Sequence, residues 1–83
     1  MTYHYQTKRT CSRAITFDID NDRVYNVRFD GGCSGNTQGV SRLVEGRPTA
    51  EVITLLQGID CRGRGTSCPD QLSKALQQAL EDL

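Results

Sequence analysis

Ile15-Thr16-Phe17-Asp18-Ile19-Asp20-Asn21-Asp22-Arg23-Val24-Tyr25-Asn26-Val27-Arg28-Phe29 carries two runs of alternating apolar and polar residues around a short polar break. In an extended chain successive side chains point to opposite sides, so Ile15, Phe17 and Ile19 fall on one face of a strand, and Tyr25, Val27 and Phe29 on one face of the next. Asp20-Asn21-Asp22 tolerates tight or left-handed backbone, which predicts an antiparallel hairpin. Upstream, residues 2–8 set Tyr3 and Tyr5 against polar neighbours only and read as a weaker strand at the sheet edge.

Downstream of the hairpin the period changes. Gly31-Gly32-Cys33-Ser34-Gly35-Asn36 holds three glycines and reads as a sharp loop. Over residues 37–45 the apolar side chains Val40, Leu43 and Val44 take helical spacing, and Gly46 is placed to end that helix. A second helix should follow Pro48, with Glu51 in its first turn, Val52, Ile53, Leu55, Leu56 and Ile59 as its apolar positions, and Gly58 at its end. Residues 61–68 are again loop chemistry. Pro69 then suits the first position of a last helix, capped by Cys68, in which Leu72, Ala75, Leu76, Ala79, Leu80 and Leu83 recur at three- and four-residue steps. The expectation is a single α+β domain over residues 1–83: a small antiparallel sheet of two to three strands followed by three helices packed on one face.

A domain of 83 residues buries only about 60% of the surface its unfolded chain exposes, so a bound metal or a partner surface is a plausible source of added stability. Ten Lys+Arg balance ten Asp+Glu, which leaves no long-range attraction toward nucleic acid or anionic membrane, and neither partner is expected. The opening residues are too polar for the core of a signal peptide, and no run approaches the roughly 18 apolar residues of a membrane span. A cytoplasmic setting, where thiols stay reduced, is therefore expected.

Cys11, Cys33, Cys61 and Cys68 are separated by 21, 27 and 6 residues, without the close pair of a zinc ribbon. Their settings say more than their spacing. Cys11 precedes the first core strand, Cys33 lies in the glycine-rich loop, and Cys61 and Cys68 bracket a Gly-Arg loop. None is in phase with the apolar faces, as buried structural cysteines would be. At the cap of the last helix, Cys68 would face unpaired N–H groups and the positive end of the dipole. Four soft sulfur donors make tetrahedral Zn(II) the first choice of cofactor, with iron or an iron-sulfur cluster second. Arg62 and Arg64 are candidates for binding an anion, such as a nucleotide phosphate, or a partner carboxylate.

Thr66-Ser67-Cys68-Pro69-Asp70, together with the Gly31 to Asn36 run and Cys61-Arg62-Gly63, resembles the TSCPD-domain family over nearly the whole chain. The resemblance implies a link to adenosylcobalamin-dependent ribonucleotide reductases, in which such a domain forms a C-terminal extension. A more distant likeness, to the IscU/NifU-type iron-sulfur scaffold proteins, would make Cys11, Cys33 and Cys68 shared ligands. Arg13 stands where those scaffolds carry an acidic residue, and Cys61 is extra, which argues for a closed site over cluster transfer. These features lead us to expect a four-cysteine metal-binding accessory module, most simply zinc-bound, that associates with a ribonucleotide-reductase-type protein. A thiol redox partner cycling Cys61 and Cys68, and an iron-sulfur or persulfide scaffold, are the other readings. An 83-residue chain has no room for a radical-sheltering barrel and is not expected to reduce nucleotides alone.

Overall fold

Asn21 and Asp22 both take positive φ, 52° and 61°, between the paired residues Asp20 and Arg23. This two-residue turn has the left-handed geometry that matches the twist of the strands it joins, so the hairpin forms where the sequence predicts it. A computed structural model of the chain describes residues 1–8, 10, 12–31, 34–60, 63 and 65–81. The hairpin strands are β2 (Ser12–Asp20) and β3 (Arg23–Gly31), and β1 (Thr2–Gln6) pairs antiparallel with β2, giving the order β1-β2-β3. Tyr3 lies opposite Phe17, and their rings stack with centroids 5.6 Å apart, which seats the edge strand on the central one. The chain then adds α1 (Ser34–Val44), α2 (Thr49–Leu56) and α3 (Cys68–Glu81), the expected α+β order.

Ile15, Phe17 and Ile19 are buried as anticipated and join Val24, Val27, Val44, Val52, Leu72, Ala75, Leu76 and Ala79 in one core. The phase of β3 differs from expectation. Thr16 pairs with Arg28 but Asp18 pairs with Tyr25, so β3 carries one extra residue there. Asn26, at φ 55°, accommodates the bulge. Beyond it the alternation inverts: Val24 is fully buried, and Tyr25, expected beside Val27, is half-buried. A second irregularity puts an extra residue on β2 between Ser12 and Ala14, leaving both of these buried around an exposed Arg13.

The first helix begins at Ser34, three residues before the expected start, so part of the supposed loop is helical. Ser, Gly and Asn each disfavour helix by no more than about 1 kcal/mol relative to Ala, a cost that tertiary packing overrides. Its inward stripe is Thr37, Val40 and Val44, and Leu43, one step off that stripe, is 69% exposed. In α2 the stripe is Thr49, Val52, Ile53 and Leu56, while Leu55 and Ile59, expected in the core, are exposed. Gly46, at φ 75°, ends α1, and Gly58, at φ 81°, follows α2, both as the sequence predicts. Leu83 lies outside the described residues.

The α1–α2 connection lies along the edge of β3. Val24 N–H donates to Arg47 O at 3.0 Å, Gly46 N–H donates to Val24 O at 2.6 Å, and Arg23 bridges to Pro48. Glu45 Oε1 accepts the Asn26 N–H at 2.9 Å. No helix of the described residues is long and apolar enough to cross a membrane.

The two faces of α2 give a direct test. Val52→Ala should destabilise the domain by about 2 kcal/mol through lost burial and a residual cavity. Leu55→Ala should change stability by no more than about 0.5 kcal/mol. Urea unfolding followed by circular dichroism reads both, and equal losses would contradict the helix orientation.

Candidate functional site

The start of α3 is built from a polar cluster rather than from apolar contacts. Ser67 Oγ accepts the Asp70 N–H at 3.1 Å, and Ser67 O accepts the Gln71 N–H at 2.8 Å, so Ser67 is the helix cap. The expectation that Cys68 caps this helix is therefore corrected by one position: Cys68 is the first helical residue and Pro69 the second. A hydroxyl at this position accepts a backbone N–H well, and the sulfur is left for other contacts.

Asp70 is 3% exposed, and its carboxylate gathers three elements. Oδ1 accepts the Gly58 N–H at 2.7 Å, just past the end of α2. Oδ2 accepts Thr66 Oγ1–H at 2.5 Å and pairs with Lys74 Nζ at 3.0 Å. Thr66 Oγ1 in turn accepts Gln71 Nε2–H at 2.9 Å, and Gln71 Oε1 accepts the Lys8 N–H at 3.1 Å, extending the network to the β1–β2 connection. Burial by itself would raise the Asp70 carboxyl, but the hydrogen bonds from Thr66 and Gly58, with the bond and charge of Lys74, outweigh it and lower its pKa. Thr66 and Lys74 lie four residues from Asp70 on either side, and Gly58 is the partner that is distant along the chain.

Cys68 is a free thiol, 9% exposed, with Sγ 3.3 Å from Ser12 Oγ. Ser12 also meets Thr10 Oγ1 at 3.1 Å, and its carbonyl accepts the hydroxyls of Thr7, at 2.5 Å, and Thr10, at 3.1 Å. Ser12 pairs with Gly31, so the end of the hairpin remote from the turn and the start of α3 share one end of the molecule. Of the residues singled out from the sequence, Cys68 is the one the structure locates. Cys11, Cys33, Cys61, Arg62 and Arg64 lie outside the described residues. Among the described residues no group of three or more His, Cys, Asp or Glu side chains is arranged to hold a metal.

Within the Gly-Arg loop, Asp60 Oδ2 accepts the Gly63 N–H at 2.6 Å and Oδ1 accepts the Gly65 N–H at 2.5 Å. These two amides look from the sequence as if they were open to an approaching partner. They are instead occupied by the chain's own carboxylate, a backbone anion site already filled from within.

The family model for the TSCPD domain matches residues 1–80. The chain belongs to the TSCPD-domain family. No curated protein and no solved structure matches it. The Thr66 to Asp70 motif of this TSCPD domain has a structural meaning: hydroxyl, cap, sulfur, proline and carboxylate together start α3 and bind it to α2.

Asp70→Asn should destabilise the domain at pH 7 by about 1–3 kcal/mol, the range for disrupting a buried, charge-assisted hydrogen-bond group. Because the folded pKa is lowered, the carboxylate's contribution is present above the unfolded value, roughly pH 4, and is lost as pH falls through the folded value. The gap between wild type and variant should therefore close below roughly pH 4, and urea titrations across that range measure it.

Proposed function

We propose that this TSCPD domain is a metal-binding accessory module that holds one tetrahedral zinc ion through Cys11, Cys33, Cys61 and Cys68 and serves a ribonucleotide-reductase-type protein partner. The observation that carries this reading is the convergence at one end of the sheet. Ser12, the sequence neighbour of Cys11, touches Cys68 Sγ and pairs with Gly31, two residues before Cys33. Each residue adds at most about 3.3–3.6 Å of reach, so the chain positions of Cys11 and Cys33, one and two residues from this contact, support a shared site with Cys68. Thr66 and Ser67, which precede Cys68, are buried, and Cys61 stands five residues before Thr66 in the sequence.

The donor set suits the ion. Four thiolates match the tetrahedral preference of Zn(II) and leave no open coordination position for substrate, which favours a structural role. When bound, the metal would cross-link the segments that contain Cys11, Cys33 and Cys61 to the start of α3, and its binding energy would add to folding stability. Ser12 Oγ is placed to donate a hydrogen bond to Cys68 Sγ, the outer contact that orients a ligating sulfur. The family's association with ribonucleotide reductase supports the partner, and Arg62 and Arg64, beside the cysteines in sequence, are the residues we assign to pairing with its carboxylates or with a nucleotide phosphate.

Protein purified without chelator and without air should be colourless and carry one zinc per chain by elemental analysis. Removing the metal should lower the melting temperature, and Cys68→Ser should abolish stoichiometric zinc. Metal-free protein with an unchanged melting temperature would overturn the zinc site. Brown protein with iron and sulfide would replace zinc by a cluster. Capture of the reductase partner should weaken in Arg62→Ala/Arg64→Ala, and undiminished capture would remove these residues from the interface.

A further inference from the structure

A groove of about 560 Å³ runs between β3 and α1, lined by Val27, Arg28, Phe29 and Gly31 on one side and by Ser41 and Arg42 on the other. It begins where the internal cover of β3 ends. At Val24 the edge of β3 is paired by Gly46 and Arg47, and at Asn26 its N–H is taken by the Glu45 carboxylate. Over residues 28–31, β3 pairs with β2 on one side, and over residues 27–31 no described residue pairs with its other edge. An open edge of this kind presents backbone donors and acceptors to any extended chain that can reach it.

The charge on the groove selects the chain. Arg28 and Arg42 are exposed and form no ion pair with a described residue, and no described acidic side chain lines the groove. The Asp18 carboxyl is lowered first by its hydrogen bonds from Thr2 and Asn26, and Arg28 adds to this only through its charge, without an ion pair. On the adjoining stretch the molecule already satisfies this edge with a segment of its own, in which the Glu45 carboxylate is followed by strand-like pairing of Gly46, Arg47 and Pro48. We propose that residues 27–31 of β3 are a docking edge for an extended acidic segment of a partner protein, which adds a fourth strand to the sheet and pairs its carboxylates with Arg28 and Arg42. Main-chain hydrogen bonds would supply affinity, and the two guanidinium groups would set charge preference and register. This proposal does not rest on the reading of Arg62 and Arg64, and its test does not require metal.

The test uses the full chain and three blocked hexapeptides: alternating glutamate and valine, alternating lysine and valine, and the glutamate form N-methylated on alternate amides. In a nuclear magnetic resonance titration at low salt, the glutamate peptide should bind saturably, shift the amides of residues 27–31 and slow their hydrogen exchange. Arg28→Ala/Arg42→Ala should weaken it by roughly tenfold, as expected for two exposed charge pairs. Arg28→Glu/Arg42→Glu should reverse the preference toward the lysine peptide. Absence of binding, equal binding of the lysine or N-methylated peptide, or shifts that map away from β3 would each overturn the proposal. Competition by millimolar phosphate equal to that of the peptide would also overturn it, since a simple anion site would then account for the arginines.

Discussion

The Asp70 carboxylate is the constraint on which the helical layer depends. It is buried, and a buried charge is tolerated only where donors surround it. Those donors are the backbone of Gly58, the hydroxyl of Thr66 and the ammonium of Lys74, so the requirement to satisfy one side chain fixes the end of α2, the approach to α3 and the first turn of α3 together. Gln71 extends the same requirement to Lys8 and hence to the sheet. Every described buried side-chain polar atom has a partner, so the cluster is a fully satisfied network of the kind that enforces one arrangement.

Much of this architecture is legible in the sequence because local chemistry and global fold agree. Asn21 and Asp22 accept positive φ, Gly46 and Gly58 stop helices, and Ile15, Phe17 and Ile19 keep strict alternation. The sequence misleads where a single residue changes the phase. The bulge at Asn26 moves Val24 into the core in place of Tyr25, and no pattern in the strand announces it, since Asn is also compatible with regular extension. Leu43 and Leu55 mislead differently. Both follow helical spacing, but a helix on a small domain buries only one stripe, and the stripe is chosen by the partner surface rather than by hydrophobicity alone.

The site divides along the same line. Cys68 is recognisable from its motif, and its position within one residue of a cap is readable because a serine, a proline and an aspartate follow the order that starts helices. That Ser67 is the cap could have been read from the serine three residues before Asp70, the spacing of a capping interaction. The contact of Cys68 with Ser12 spans 56 residues and has no local signature. The role of Asp60, which fills the amides of Gly63 and Gly65, was hidden because an acidic residue in a glycine-rich loop ordinarily reads as solvated.

The anchoring of Gly58 and Thr66 to the same carboxylate has a consequence for how such a domain can diversify. Both ends of the intervening segment are fixed within hydrogen-bond reach of one point, so the entropy of closing it is already met by the surrounding framework. Lengthening a closed loop costs only about 0.6 kcal/mol per doubling of its length. On entropy alone, a change in the length of this segment would therefore cost little while the Asp70 anchors hold, provided that Cys61, Asp60 and the Gly63 and Gly65 amides are kept.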